Sequence, residues 1–127
     1  MRKNNQAGFT LIELVMVIVI LGALAAIALP KFVDFGSDAK AAAVQGVAGA
    51  LSSASAINYA ERKAKGTSAG VRVVDCDDVK KALQAGDVPA GYSITTPAAV
   101  GADATKTDCV VNGPSGASAA FTATGIL

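Results

Sequence analysis

Histidine and tryptophan are missing from the 127 residues, and aromatic side chains make up only 5% of them. Without histidine there is no Ser-His-Asp triad, no Cys-His dyad and no histidine-ligated zinc site. The glycines spell neither GxGxxG nor a Walker-type loop, so no phosphate cradle is present. A charge of one sign is missing as well. Eleven Lys and Arg face ten Asp and Glu, a formal net charge of +1, which provides neither a basic field for nucleic acid nor an acidic tail. Asn-x-Ser/Thr sequons are absent too. No catalytic residue, cofactor or metal is expected, and nucleic acid is excluded as a primary partner. Asp75, Asp77 and Asp78 are close enough in sequence to suggest a cation site, but acids at a helix start are the simpler reading.

What the chain does have is a long apolar run. Met1 to Gly8 (MRKNNQAG) is polar and carries Arg2 and Lys3 with no acid, which places this end in the cytoplasm by the positive-inside rule. From Phe9 to Leu29 run 21 residues in which Thr10 and Glu13 are the only polar side chains. As a helix rising about 1.5 Å per residue, that length spans roughly 30 Å, the thickness of a bilayer's hydrocarbon core. A secretory signal has a similar basic start, but its apolar core is about 7 to 15 residues long and ends in a cleavage motif of small residues. The run here is longer and contains a carboxylate.

Glu13 is the informative residue. An ionised carboxylate in lipid costs several kcal/mol unless a cation or a donor reaches it. A glutamate reaching the headgroups is one solution. Cleavage after Gly8 provides another, because the new ammonium at Phe9, its own or a neighbour's, would lie about one helical turn away.

Gly8-Phe9-Thr10-Leu11-Ile12-Glu13, followed by the apolar run to Leu29-Pro30, resembles the class III leader and N-terminal segment of type IV pilins and pseudopilins. The likeness is strong from Gly8 to Phe35. It implies cleavage between Gly8 and Phe9 by a prepilin peptidase, with N-methylation of Phe9. Subunits held in the membrane by the apolar helix would then be extracted and bundled into a filament, Glu13 neutralising the Phe9 amine of an adjacent subunit. Gly22 and Pro30 bracket a stretch expected to kink or melt, because Pro30 lacks the backbone donor and crowds the carbonyl one turn earlier. Gly22 and Ala26 form a small-xxx-small pair that permits close helix contact.

The implied partners are copies of the chain itself, the prepilin peptidase, an inner-membrane platform with its assembly ATPase, and an outer-membrane secretin where an outer membrane exists. The implied location is the inner membrane as a single-pass precursor, then an extracellular fibre. The stretch from Ala28 to Gly46 (ALPKFVDFGSDAKAAAVQG) is most similar to mannose-sensitive haemagglutinin type pilins. The alternatives are a type II secretion pseudopilin forming a short periplasmic filament and, more remotely, a membrane-anchored monomeric binding protein.

The expected fold is α+β: a long N-terminal helix, transmembrane and then amphipathic, packed on a small antiparallel sheet. The expected segments are a leader at 1–8, a membrane or filament-core helix at 9–30, its amphipathic continuation at 31–66 and a β-rich head at 67–127. Val44, Val47, Leu51, Ala54 and Asn58 recur at three- and four-residue steps and form the face that covers the sheet. The helix should end at Lys63-Ala64-Lys65-Gly66, bases followed by glycine. Gly36-Ser37-Asp38 is a place for a small irregularity, where Ser37 or Asp38 is able to cap a restarted turn, but one long, curved helix is expected.

Roughly sixty head residues bury too little apolar surface to stand alone, so a staple is expected. Cys76 and Cys109 lie in the part placed outside the cytoplasm and allow one pairing, with a two-cysteine metal site as the rival. The resemblance places the second cysteine of such proteins near the C-terminus, whereas here 18 residues follow Cys109, so the attachment of the last segment to the sheet is open. Strands are expected at Gly70–Asp75, Tyr92–Thr96, Thr107–Asn112 and Ala119–Thr124, a short helix at Asp77–Ala85 and a loop at Thr96–Thr105. Asn112-Gly113-Pro114-Ser115-Gly116 reads as the turn of a hairpin.

Overall fold

A computed structural model of the chain describes residues 7–95 and 98–127; Arg2 and Lys3 lie outside the described residues. Helix α1 spans Leu11–Lys65, 55 residues. It is rich in Ala, the best helix former, and stops at Gly66, whose φ of +75° is left-handed. The helix is continuous through Gly36-Ser37-Asp38, the single long helix expected, with no restarted turn there. The Ser37 hydroxyl donates to the Asp34 carbonyl at 2.7 Å instead of capping a new turn. By its internal contacts the chain divides between Ser37 and Asp38 into two units.

The second unit holds a three-stranded antiparallel sheet in the order β1-β2-β3. The strands are β1 Ser93–Thr95, β2 Thr105–Asn112 and β3 Ser118–Thr124. A 3-10 turn at Pro114–Gly116 joins β2 to β3, so the NGPSG signal does mark a hairpin. Val44, Ala48 and Leu51 of α1 meet Val111, Phe121 and Ala123 of the sheet, with Val73, Val79 and Val100 filling the remaining core. Each strand turns one face inward, as period-2 alternation requires.

Three expectations need correction. Gly70–Asp75 is not a strand: Val73 makes one bridge to Ile126 and Asp75 one to Ala99. The segment 77–85 is not an α-helix but a 3-10 helix over Asp77–Ala82. The buried face of α1 is Val44, Ala48, Leu51, Ser55 and Asn58, with Val47 and Ala54 only partly buried.

Hydrogen bonding accounts for the turned face. β3 lies at the sheet edge, where unpaired N–H groups need partners. The N–H groups of Thr122 and Thr124 donate to the hydroxyls of Ser52, at 2.9 Å, and Ser55, at 2.8 Å. Asn58 plays the same part for the chain leaving the helix. It accepts from Val71 N–H at 2.7 Å and donates to the Val71 carbonyl at 2.9 Å, reproducing a strand pair with a side chain.

The residues after Cys109 are held by β3 itself, by reciprocal Val73–Ile126 backbone bonds of 2.9 and 3.0 Å, and by Arg62 Nε donating to the Leu127 carbonyl at 2.9 Å. Cys76 and Cys109 form a disulfide with Cα atoms 5.7 Å apart, tying the 3-10 segment to β2.

Candidate assembly site

Ala7 to Thr10 form no regular element and are exposed, as are the helical residues from Leu11 to Ala26. Phe9 is 92% exposed. A side chain at Gly8 would meet nothing within 4 Å, so nothing in this chain's own packing demands glycine there. The scissile bond expected between Gly8 and Phe9 therefore lies in an open segment just outside the helix.

The first helical turn is closed by a capping box. Thr10 is the cap residue, and its hydroxyl accepts from the Glu13 N–H at 3.3 Å. Glu13 reaches back, and its Oε2 accepts from both the Thr10 N–H at 2.8 Å and the Thr10 hydroxyl at 2.9 Å. The Thr-x-x-Glu pattern was readable in the sequence, but Thr10 counted there only as an interruption of the apolar run. Beyond it, Leu14, Ile18, Leu21 and Leu24 are each more than half exposed, so the segment presents apolar side chains with no cover of their own. By length and composition the helix is able to cross a membrane. Gly22 and Pro30 sit inside unbroken α-helix in this single subunit.

In the head, the three clustered carboxylates are already engaged. Asp75 accepts from the Asp78 N–H at 2.9 Å, Asp77 pairs with Lys80 at 2.9 Å, and Asp78 accepts from the Val74 N–H at 3.0 Å and pairs with Lys81 at 2.5 Å. Burial works against the Asp78 carboxylate, but the Lys81 ammonium and the Val74 N–H together hold its pKa below the ordinary value. Lys81 is raised in turn by Asp78. Among the described residues no group of three or more side chains is arranged to hold a metal ion.

A family model described as the prokaryotic N-terminal methylation motif matches residues 3–29. The chain is 54% identical over 56 residues to the type IV narrow pilus major component PilA5 of Thermus thermophilus, covering 44% of this chain and 48% of that protein. Its N-terminal segment is similar to those of type IV pilins, and its long apolar helix, small antiparallel sheet and single disulfide fit the α+β fold of that family. Over 95 residues the chain is 39% identical to a fimbrial protein of Neisseria meningitidis, covering 72% of this chain and 55% of the relative. With a type IV major alpha-pilin of Moraxella bovis it shares 56% identity over 43 residues, 34% of this chain and 27% of the relative. The chain thus spans between about a quarter and about half the length of these relatives. No solved structure matches it.

Of the residues singled out for assembly, the structure brings Glu13 against Thr10 and leaves Phe9 exposed beside them. Gly22 and Pro30 lie farther along the same helix, and Cys76 and Cys109 belong to the head.

Proposed function

We propose that this chain is the major structural subunit of a type IV pilus, polymerising through its N-terminal helix into an extracellular filament for adhesion, attachment or surface motility. The observation that carries the reading is the exposed apolar segment, which bears a single carboxylate, Glu13, one turn from Phe9 and falls within the methylation motif. In the precursor that surface faces lipid; in the filament it faces the same segment of other copies. Lipid tails and leucines are equally apolar, so the exchange costs little and packing and charge decide the register.

In this reading a prepilin peptidase cuts between Gly8 and Phe9, and Phe9 is N-methylated. The 119 residues that remain carry nine basic and ten acidic side chains, and the terminal amine is the new charge to be matched. Glu13 matches it: breaking a buried ion pair by removing one partner costs about 3–5 kcal/mol, enough to reject misaligned subunits. Gly22 to Pro30, helical in the single subunit, is where the assembled filament loses helix and gains extensibility. The remaining partners are the inner-membrane platform with its ATPase and, where the cell has an outer membrane, a secretin. The chain is not an enzyme in this scheme.

Glu13→Ala leaves membrane insertion intact, because it removes the one charge from an apolar helix. It is expected to abolish or strongly disorder filaments, read by electron microscopy and by quantifying protein sheared from cells. Normal filament yield from Glu13→Ala removes the pairing role.

The reading as a whole is tested by intact mass and N-terminal sequencing of sheared surface protein, with and without reduction. The expected product starts at methylated Phe9 and gains two hydrogens on reduction. Processed protein confined to the cell envelope would favour the secretion pseudopilin, and a Met1 terminus would sink the filament.

A further inference from the structure

Resting on that reading, we infer that Thr10 is the positioning residue for Glu13: it anchors Oε2 and leaves Oε1 to receive the Phe9 ammonium of a second copy. The asymmetry of the carboxylate carries the argument. Oε2 takes the Thr10 N–H at 2.8 Å and the Thr10 hydroxyl at 2.9 Å, while Oε1 accepts no hydrogen bond among the described residues. The same hydroxyl accepts the Glu13 N–H at 3.3 Å, so one hydroxyl holds both the backbone and the carboxylate of Glu13.

A glutamate on the outside of a helix ordinarily samples several rotamers, and freezing them opposes any ion pair it forms. Here that cost is met within the subunit, before docking. Hydrogen bonds to a charged acceptor are stronger than neutral ones, and more so where water is excluded. The anchored oxygen therefore keeps the carboxylate tolerable in an apolar surrounding. The other oxygen keeps unfilled acceptor capacity, for which a single ammonium on a neighbouring subunit is the matching group. Thr10 thereby sets both where the charge sits and which oxygen is offered.

The test replaces the full-length chain in its own cell by Thr10→Val, which keeps the shape and loses the hydroxyl, and by Thr10→Ser, which keeps the hydroxyl. Three quantities are read: the processed pool in the membrane, the mass of sheared filament, and filament formation by wild type in parallel. Thr10→Val is expected to leave the processed pool unchanged and lower filament mass about tenfold, the equivalent of one hydrogen bond to a charged group. Thr10→Ser is expected to restore wild-type filament mass.

Equal filament mass from Thr10→Val and wild type overturns the inference while leaving the pilus reading intact. Failure of Thr10→Ser alongside Thr10→Val also overturns it, since the methyl group and not the hydroxyl would then matter. Loss of processing in Thr10→Val assigns the hydroxyl to the peptidase step and overturns it as well. Absence of filaments from wild type is a failure of the pilus reading itself.

Discussion

Reduction of the Cys76–Cys109 bridge lowers the melting temperature of the head by about 15–25 °C, measured on the full chain in detergent. The bridge closes a loop with a sequence separation of 33 residues, for which the chain-entropy estimate is about 3–4 kcal/mol. The compact unit from Asp38 to Leu127 has 90 residues, and at about 0.05–0.15 kcal/mol per residue its whole stability is about 5–13 kcal/mol. The bridge is therefore a large share of the total.

The effect is concentrated where strand pairing is weakest. From Gly70 to Cys76 the chain is held by single bridges at Val73 and Asp75, by Asn58 on Val71, by the bond from Val100 N–H to the Val74 carbonyl at 2.8 Å, and by that from Cys76 N–H to the Ala98 carbonyl at 3.2 Å. Hydrogen exchange on the reduced protein is expected to show protection lost first over residues 70–88, with β2 and β3 opening later. Both sulfurs belong to fully buried residues, so Cys76→Ala with Cys109→Ala adds a packing loss to the entropic one. Retention of the oxidised melting temperature after complete reduction would show that the sheet and helix suffice without the staple.

The parts of this molecule that were legible in its sequence are those set by local pattern. An unbroken apolar run, a basic start and a glutamate near its beginning are visible without knowledge of any partner segment, and so is a glycine-proline turn between two alternating stretches. What was hidden depends on residues far apart in the chain. GVRVVD has the composition of a strand, yet Val71 pairs with the side chain of Asn58, Val73 with Ile126 and Asp75 with Ala99, so no single neighbour runs beside it. Nothing in the local sequence marks Ser52 and Ser55. They serve as hydrogen-bond acceptors for the edge of β3, about seventy residues away in sequence. Thr10 is different in kind: its signal, a threonine three residues before Glu13 at the start of an apolar helix, is local, and it forms the cap.

Gly125→Ala is expected to destabilise the head by about 3 kcal/mol or more, whereas Gly101→Ala, its neighbour in space, changes stability by less than about 1 kcal/mol. After β3 the chain runs beside the loop leading into β2, and Ala102 and Gly125 form a parallel bridge. Asp103 N–H donates to the Gly125 carbonyl and Gly125 N–H to the Ala104 carbonyl, each at 2.9 Å. This approach leaves no room for a side chain at 125. An added Cβ would run into the Gly101 carbonyl oxygen and lie 2.8 Å from its carbon and 3.0 Å from the Val100 oxygen. All three are backbone atoms, which relieve the overlap only by moving the loop.

Moving it would break both 2.9 Å bonds, at about 1 kcal/mol each, and disturb Asp103. That residue is held in a left-handed conformation with φ of +58° and accepts the Tyr59 hydroxyl at 3.0 Å and the Lys63 ammonium at 2.6 Å. At Gly101 an added Cβ meets only the Ala104 methyl at 3.5 Å, an ordinary contact. Denaturant titration of the two variants with wild type separates the readings. A large loss confined to Gly125→Ala establishes that backbone contact locks the C-terminal segment to the head, while equal and small losses would place the lock in Arg62 and β3 alone.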